Sequence, residues 1–244
     1  MKERPILFNG DMVRAILDGH KTQTRRVVDV SKIKPSTWKH EGIETIRPVA
    51  ELGWNHKDQW QAKTNRYNVW SKGFLCPYGK VGDRLWVRES GWKPKEPTLR
   101  DLRDGADTWP KYVYAADGVS DWEKEQFKDW GWRSRPSIHM PRWASRITLE
   151  ITSVRVERVQ DISETDAIAE GINPTVFDEF DIAEIKFEDP ECLEAKVLDI
   201  LGPVQIPANV NFMTIWDKIN GKTHSWASNP FVWVLEFKRI EEAK

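Results

Sequence analysis

The sequence predicts a single α+β domain, residues 1–244, built around a small β-barrel with short flanking helices and three insertions. Three observations carry that prediction. Residues 146–159 alternate with Ile147, Leu149 and Ile151 on one face, then change parity to Val154 and Val156. Such a switch places a bulge or bend near Thr152 and Ser153 and suits a curved sheet. Residues 230–238 form a second alternating strand, with Phe231, Trp233, Leu235 and Phe237 on one face. The helical signals are short and end in glycine, and 244 residues are enough to bury roughly two-thirds or more of the surface of the unfolded chain.

Taken in chain order, the first element is a helix from Asp11 to Gly19. Asp11 is its expected cap, Met12 with Ile16 and Val13 with Leu17 recur at i,i+4, and Gly19 supplies a left-handed stop. Residues 31–72 show no sustained period and are read as the first insertion. A turn over 78–83 leads into an alternating strand over 84–89. The second insertion spans about 93–133, with a strand at 112–116 and a tryptophan-bearing stretch from Trp122 to Trp132. Ser163 and Asp166 make a capping-box variant that opens a helix ending at Gly171. The third insertion covers about 173–210 and includes an acidic run at 178–194, read as a solvated helix or loop; a short helix is expected at 214–219.

Composition narrows the function classes. Two cysteines, Cys76 and Cys192, exclude a disulfide framework or a four-cysteine zinc site, and no histidine spacing suggests a metal, so no cofactor is expected. No apolar run reaches the ~20 residues of a membrane span, and the first nine residues lack a signal-peptide pattern, which points to the cytoplasm. The net charge of −1 conceals an asymmetry: residues 1–146 hold 28 Lys and Arg against 19 Asp and Glu, and the remainder hold 9 against 19. Eleven of the 14 tryptophans also lie before residue 147. Basic side chains interleaved with flat aromatics suit a nucleic-acid surface, although tryptophan also serves as core filler.

The densest polar cluster is Lys21, Thr24, Arg25 and Arg26, directly after the Gly19 stop. A buried lysine loses its charge readily and can act as a base toward a nearby hydroxyl, while guanidinium forks suit carboxylate or phosphate; a solvated basic loop is the competing reading. Glu170 falls near a helix C-terminus, where the helix dipole disfavours a carboxylate. Arg135, His139, Arg142, Trp143 and Arg146 precede the main strand and either line a pocket or face water.

Four features in order resemble the ASCH family of PUA-like barrels, most closely its longer bacteriophage and prophage members. They are Gly19-x-Lys21-x-x-Thr24-x-Arg26 after the first helix, Val81-Gly82-Asp83 entering a strand, the strand-to-helix passage from Ile147 to Gly171 with Glu170, and the last strand, Val232 to Phe237. The resemblance implies a cleft for modified nucleosides or RNA in the cytoplasm of a bacterial host. It also implies amidohydrolase chemistry on an N4-acetylcytidine-like base, with Lys21, Thr24 and Glu170 catalytic. In that reading Lys21 takes the Thr24 proton, Glu170 orients Lys21 or activates the deacylating water, Arg26 or a backbone N–H near Thr24 meets the oxyanion, and Trp86 or Trp143 stacks on the base. In the alternative, the same cleft binds single-stranded RNA or a modified base without turnover, with Arg25, Arg135, Arg142 and Arg146 on phosphates and His139 beside them. A third reading is a phage accessory protein that contacts other proteins through its tryptophan-rich insertions.

Overall fold

The computed structural model describes residues 1–29, 49–54, 60–64, 74–96, 110–177 and 204–240. In chain order the strands are β1 (Glu3–Leu7), β2 (Gln23–Val27), β3 (Val49–Trp54), β4 (Trp60–Thr64), β5 (Arg84–Arg88) and β6 (Gly91–Lys93). They continue as β7 (Val113–Tyr114), β8 (Arg133–Arg135), β9 (Thr148–Arg158), β10 (Thr175–Phe177), β11 (Val204–Ile206) and β12 (Phe231–Ile240). The α-helices are α1 (Gly10–Leu17), α2 (Asp121–Asp129), α3 (Glu164–Ala169) and α4 (Ala208–Asn220). The acidic run at 178–194 lies outside the described residues. Among those described, no helix is long and apolar enough to cross a membrane.

A mixed five-stranded sheet in the order β1-β5-β9-β12-β2 organises the α+β fold. β1 runs parallel to β5, and the other neighbours are antiparallel. The expected bulge is present: Glu236 pairs with Ser153 and Phe237 with Ile151, so Thr152 has no opposite number. That extra residue is why the inward face passes from odd to even positions along β9. No backbone ladder joins β1 to β2 among the described residues, so the strand pairing gives an open sheet rather than a closed barrel. A side chain spans the seam instead, with Arg26 Nη2 donating to the Leu7 carbonyl at 2.8 Å.

β12 is buried on both faces, which explains its nearly continuous apolar run. Trp233, Leu235 and Phe237 join Leu85, Leu149, Ile151 and the Val13–Ile16 face of α1 in the main core. Val232 and Val234 face the opposite way, onto Ala167 of α3 and onto Phe212 and Trp216 of α4. α4 therefore begins six residues before the expected 214–219 segment. Burying Phe212 and Trp216 contributes roughly 1.5–3 kcal/mol each, which outweighs the ~0.5 kcal/mol helix penalties of Asn209, Val210 and Asn211.

Other local expectations are adjusted. The α1 cap is Asn9, whose Oδ1 accepts from the Met12 N–H at 2.8 Å, while Asp11 pairs with Arg14 inside the first turn. Only Val113 and Tyr114 of the 112–116 segment are strand, because residues 115–117 coil into a 3₁₀ turn. The Trp122–Trp132 stretch contains α2, opened by a Ser120–Glu123 capping box. Its aromatics form a satellite cluster in which Phe127 stacks on Trp132 at 4.7 Å and tilts against Trp92 at 5.5 Å. This cluster lies beside the three-stranded β7-β6-β8 sheet. β3 with β4, and β10 with β11, make two further antiparallel pairs.

Candidate active site

β2 sorts its side chains by parity. Residues directly opposite in an antiparallel pair share a face. Thr24 lies opposite Leu235 and Arg26 opposite Trp233, so both belong to the main-core face. Arg25 and Val27 lie opposite Val234 and Val232, facing the α3–α4 layer. Lys21, two residues before β2, forms a single β-bridge with Glu170, and the neighbouring Thr22 N–H donates to the Ala169 carbonyl at 2.8 Å.

These backbone contacts bring Lys21 against the end of α3. Its Nζ donates to Glu170 Oε2 and to the Glu170 backbone carbonyl, each at 2.7 Å, and both residues are buried. A cation on the last carbonyl of a helix is favoured by the helix dipole. The close approach depends on Gly171, which has φ +85°. A Cβ there would lie 3.0 Å from the Ala15 Cβ and 3.2 Å from the Lys21 Cβ.

Arg25 extends the pair into a network. Its guanidinium donates to Asp166 at 3.1 Å, Glu157 at 3.3 Å and, more distantly, Glu170 at 3.4 Å. It also lies 5.8 Å from the Phe212 ring centre. Arg155 completes the group by binding Asp166 at 2.9 Å and Gln23 at 3.2 Å, together with Glu157 and Glu236. Burial holds Lys21 below the usual lysine pKa; Glu170 pulls it back, and Arg26 and Arg25 add to the lowering. Burial also opposes ionisation of Asp166, but Arg25 and Arg155 outweigh it and hold the carboxyl below its ordinary range.

The network borders a cleft of about 600 Å³ beside the open seam of the sheet. Lys21, Arg25, Arg26 and Glu170 form its polar side. Asn9 and Met12 border it from the start of α1, and Phe212, Trp216 and Ile219 border it from α4. A small planar ligand could bury its faces against the aromatic side while meeting a lowered-pKa amine and a carboxylate on the other.

Of the expected catalytic residues, Lys21 and Glu170 therefore meet, whereas Thr24 is fully buried and absent from the cleft wall. Its Oγ1 makes no hydrogen bond, so Lys21 and Thr24 are not a bonded pair. Arg25 and Arg26 border the cleft, but Arg25 is enclosed by three carboxylates rather than presented to phosphate. Trp86, Arg135, His139, Arg142, Trp143 and Arg146 do not border it, which corrects the expectation of one shared site. Arg146 is bound to Glu89 and Asp117 and lies 3.9 Å from the Tyr114 ring centre. Arg135 is in β8, and His139 is exposed in a 3₁₀ turn. Arg142 pairs with Glu3 at 3.2 Å, and Trp143 is 56% exposed.

Sequence reading missed Arg155, Glu157 and Asp166. The signal for them was present: the parity change that turns Val154 and Val156 inward turns Arg155 and Glu157 to the α3 face, while the Ser163 cap fixes Asp166 at the third position of α3. Among the described residues, no group of His, Cys, Asp or Glu could hold a metal ion. Comparison with protein-family models, curated proteins and solved structures finds no match.

Proposed function

We propose that the chain is an ASCH-type amidohydrolase that takes a modified nucleobase into the cleft and hydrolyses an N-acyl amide of the N4-acetylcytidine kind. In this reading the sheet is a PUA-like barrel left open at the β1–β2 seam. The observation that carries the proposal is the buried Lys21–Glu170 pair at the cleft, with the lysine pKa lowered by burial. A neutral lysine amine has two N–H groups and one lone pair. Once Lys21 has lost the proton it holds as a cation, its two remaining donors match Glu170 Oε2 and the Glu170 carbonyl, and the lone pair can accept a proton.

In the reaction, a hydroxyl oxygen adds to the acyl carbon, Lys21 receives the hydroxyl proton, and the tetrahedral intermediate expels the base amine, which regains that proton from Lys21. Arg26, which borders the cleft with Nη1 on the Arg25 carbonyl and Nη2 on the Leu7 carbonyl, is assigned to the developing oxyanion, because the carboxylates around Arg25 already engage that guanidinium. With water as nucleophile the acid is released in one cycle. With Thr24 as nucleophile, its hydroxyl must turn from the core toward the cleft, the base amine leaves first, and one water then hydrolyses the acyl-threonine, releasing the acid and restoring the hydroxyl.

Binding without turnover is favoured by one observation: the Lys21–Glu170 bonds also close the end of α3, a purely structural role. A panel of N-acylated nucleosides, with chromatography of the released acid, separates the readings. Turnover that falls about 10²–10⁴-fold in Lys21→Met is expected of a general base. No release from any acyl nucleoside, or an unchanged rate in Lys21→Met, would reject the enzyme.

A further inference from the structure

We propose that the outer face of β1 and β5 binds the backbone of a single-stranded nucleic acid and leads that strand toward the cleft. The alternation of β5 buries Leu85 and Val87 in the core and turns Arg84, Trp86 and Arg88 outward. Trp86 forms a plate for two guanidiniums, with Arg88 5.3 Å and Arg142 5.8 Å from its ring centre. Arg88 also donates to the Ile138 carbonyl, which ties its position to the 3₁₀ turn. Trp143, one residue beyond Arg142, is 56% exposed and can stack on a base.

Charge selects the partner. The acids on this face are already engaged, Glu3 with Arg142 at 3.2 Å and Glu150 with Lys238 at 3.4 Å. Among the described residues, Arg84 and Arg88 have no carboxylate within ion-pair distance. Arg84 lies between Glu3 and Glu150 in the ladder, but Arg142 and Lys238 take those carboxylates, so together with Arg88 the face keeps an excess of positive charge beside an exposed indole, which suits a flexible polyanion that carries flat bases. The face also continues toward the cleft, because Leu7 pairs in register with Arg88 and its carbonyl accepts from Arg26. That the base delivered there is the acylated one rests on the reading of the cleft given above; the binding surface does not.

The test is fluorescence anisotropy with a fluorescein-labelled oligouridine a dozen nucleotides long, titrated from about 50 to about 200 mM salt. Each of Arg84→Ala and Arg88→Ala is expected to weaken binding and reduce the magnitude of the log–log salt slope by about 1. Trp143→Ala removes a half-exposed ring that also meets Tyr112 edge-on, so its melting curve is recorded alongside; with that curve unaltered, it is expected to weaken binding at least about fivefold with little change in slope. Absence of binding at low salt, or unchanged affinity and slope in the Arg84→Ala, Arg88→Ala double variant with an unaltered melting curve, would overturn the proposal. A Trp143→Ala protein that binds as tightly as the parent overturns the stacking role. The probe has no acyl group, so its binding stands or falls independently of turnover on free nucleosides.

Discussion

Thr24→Val offers a measurement in which stability and activity move apart. The native hydroxyl is fully buried, with no hydrogen-bond partner, on a strand position opposite Leu235. A buried hydroxyl without a partner costs about 1–3 kcal/mol. Valine has nearly the same shape, exchanges the hydroxyl for a methyl worth ~0.8 kcal/mol of burial and suits a strand. These terms overlap, so the expected net gain is roughly 1–3 kcal/mol. In a chain of 244 residues each kcal/mol corresponds to a Tm rise of about 2–4 °C. Urea or thermal unfolding reads the gain, and acid release from an acyl nucleoside reads function on the same preparation. A stabilised but inactive protein assigns Thr24 as the nucleophile, because the hydroxyl is then retained against its own stability cost. A stabilised and active protein assigns the reaction to water. Destabilisation by more than about 1 kcal/mol would refute the reasoning, since it would mean that the hydroxyl has a native partner.

Two further outcomes follow from the same site. Because burial lowers the Lys21 pKa below its ordinary 10.5, between the lowered value and 10.5 the unfolded chain holds a proton that the folded chain lacks. The stability contribution of this group therefore rises with pH through that window, and turnover falls as pH drops through the lowered value. Urea unfolding across alkaline pH should show this slope in the parent and lose it in Lys21→Met, and an identical slope in both would remove Lys21 as its source. Gly171→Ala should destabilise by at least about 1–2 kcal/mol, because the position has φ +85° and the new Cβ would press on Ala15 and Lys21; an unchanged unfolding midpoint would show that Gly171 is not required there.

The elements legible from sequence were those whose cause is local. A parity change in β9 announces a bulge wherever the partner lies, Gly19 and Gly171 end helices through their own positive φ, and the Ser163 side chain caps the helix that follows it. β1 was not legible, because the short Glu3–Leu7 stretch contains a proline and gains its strand identity from pairing with β5, some eighty residues away. The early start of α4 escaped for a related reason: its first residues are weak helix formers held by the contacts of Phe212 and Trp216 with β12.

The same division applies to function. Sequence by itself determined that Lys21, Thr24, Arg25 and Arg26 are close along the chain, since they occupy one short segment. Only the tertiary structure decided that Lys21 meets Glu170, that three acids enclose Arg25, and that Thr24 lies behind the cleft wall. It also separated Trp86, Arg142 and Trp143 from that cleft. The physical reason is that adjacent strand residues point to opposite faces, so proximity in sequence divides a cluster between two layers. Which layer then contains a helix end, a core or open solvent is set by pairings 100 residues or more apart, and those depend on the whole fold having formed.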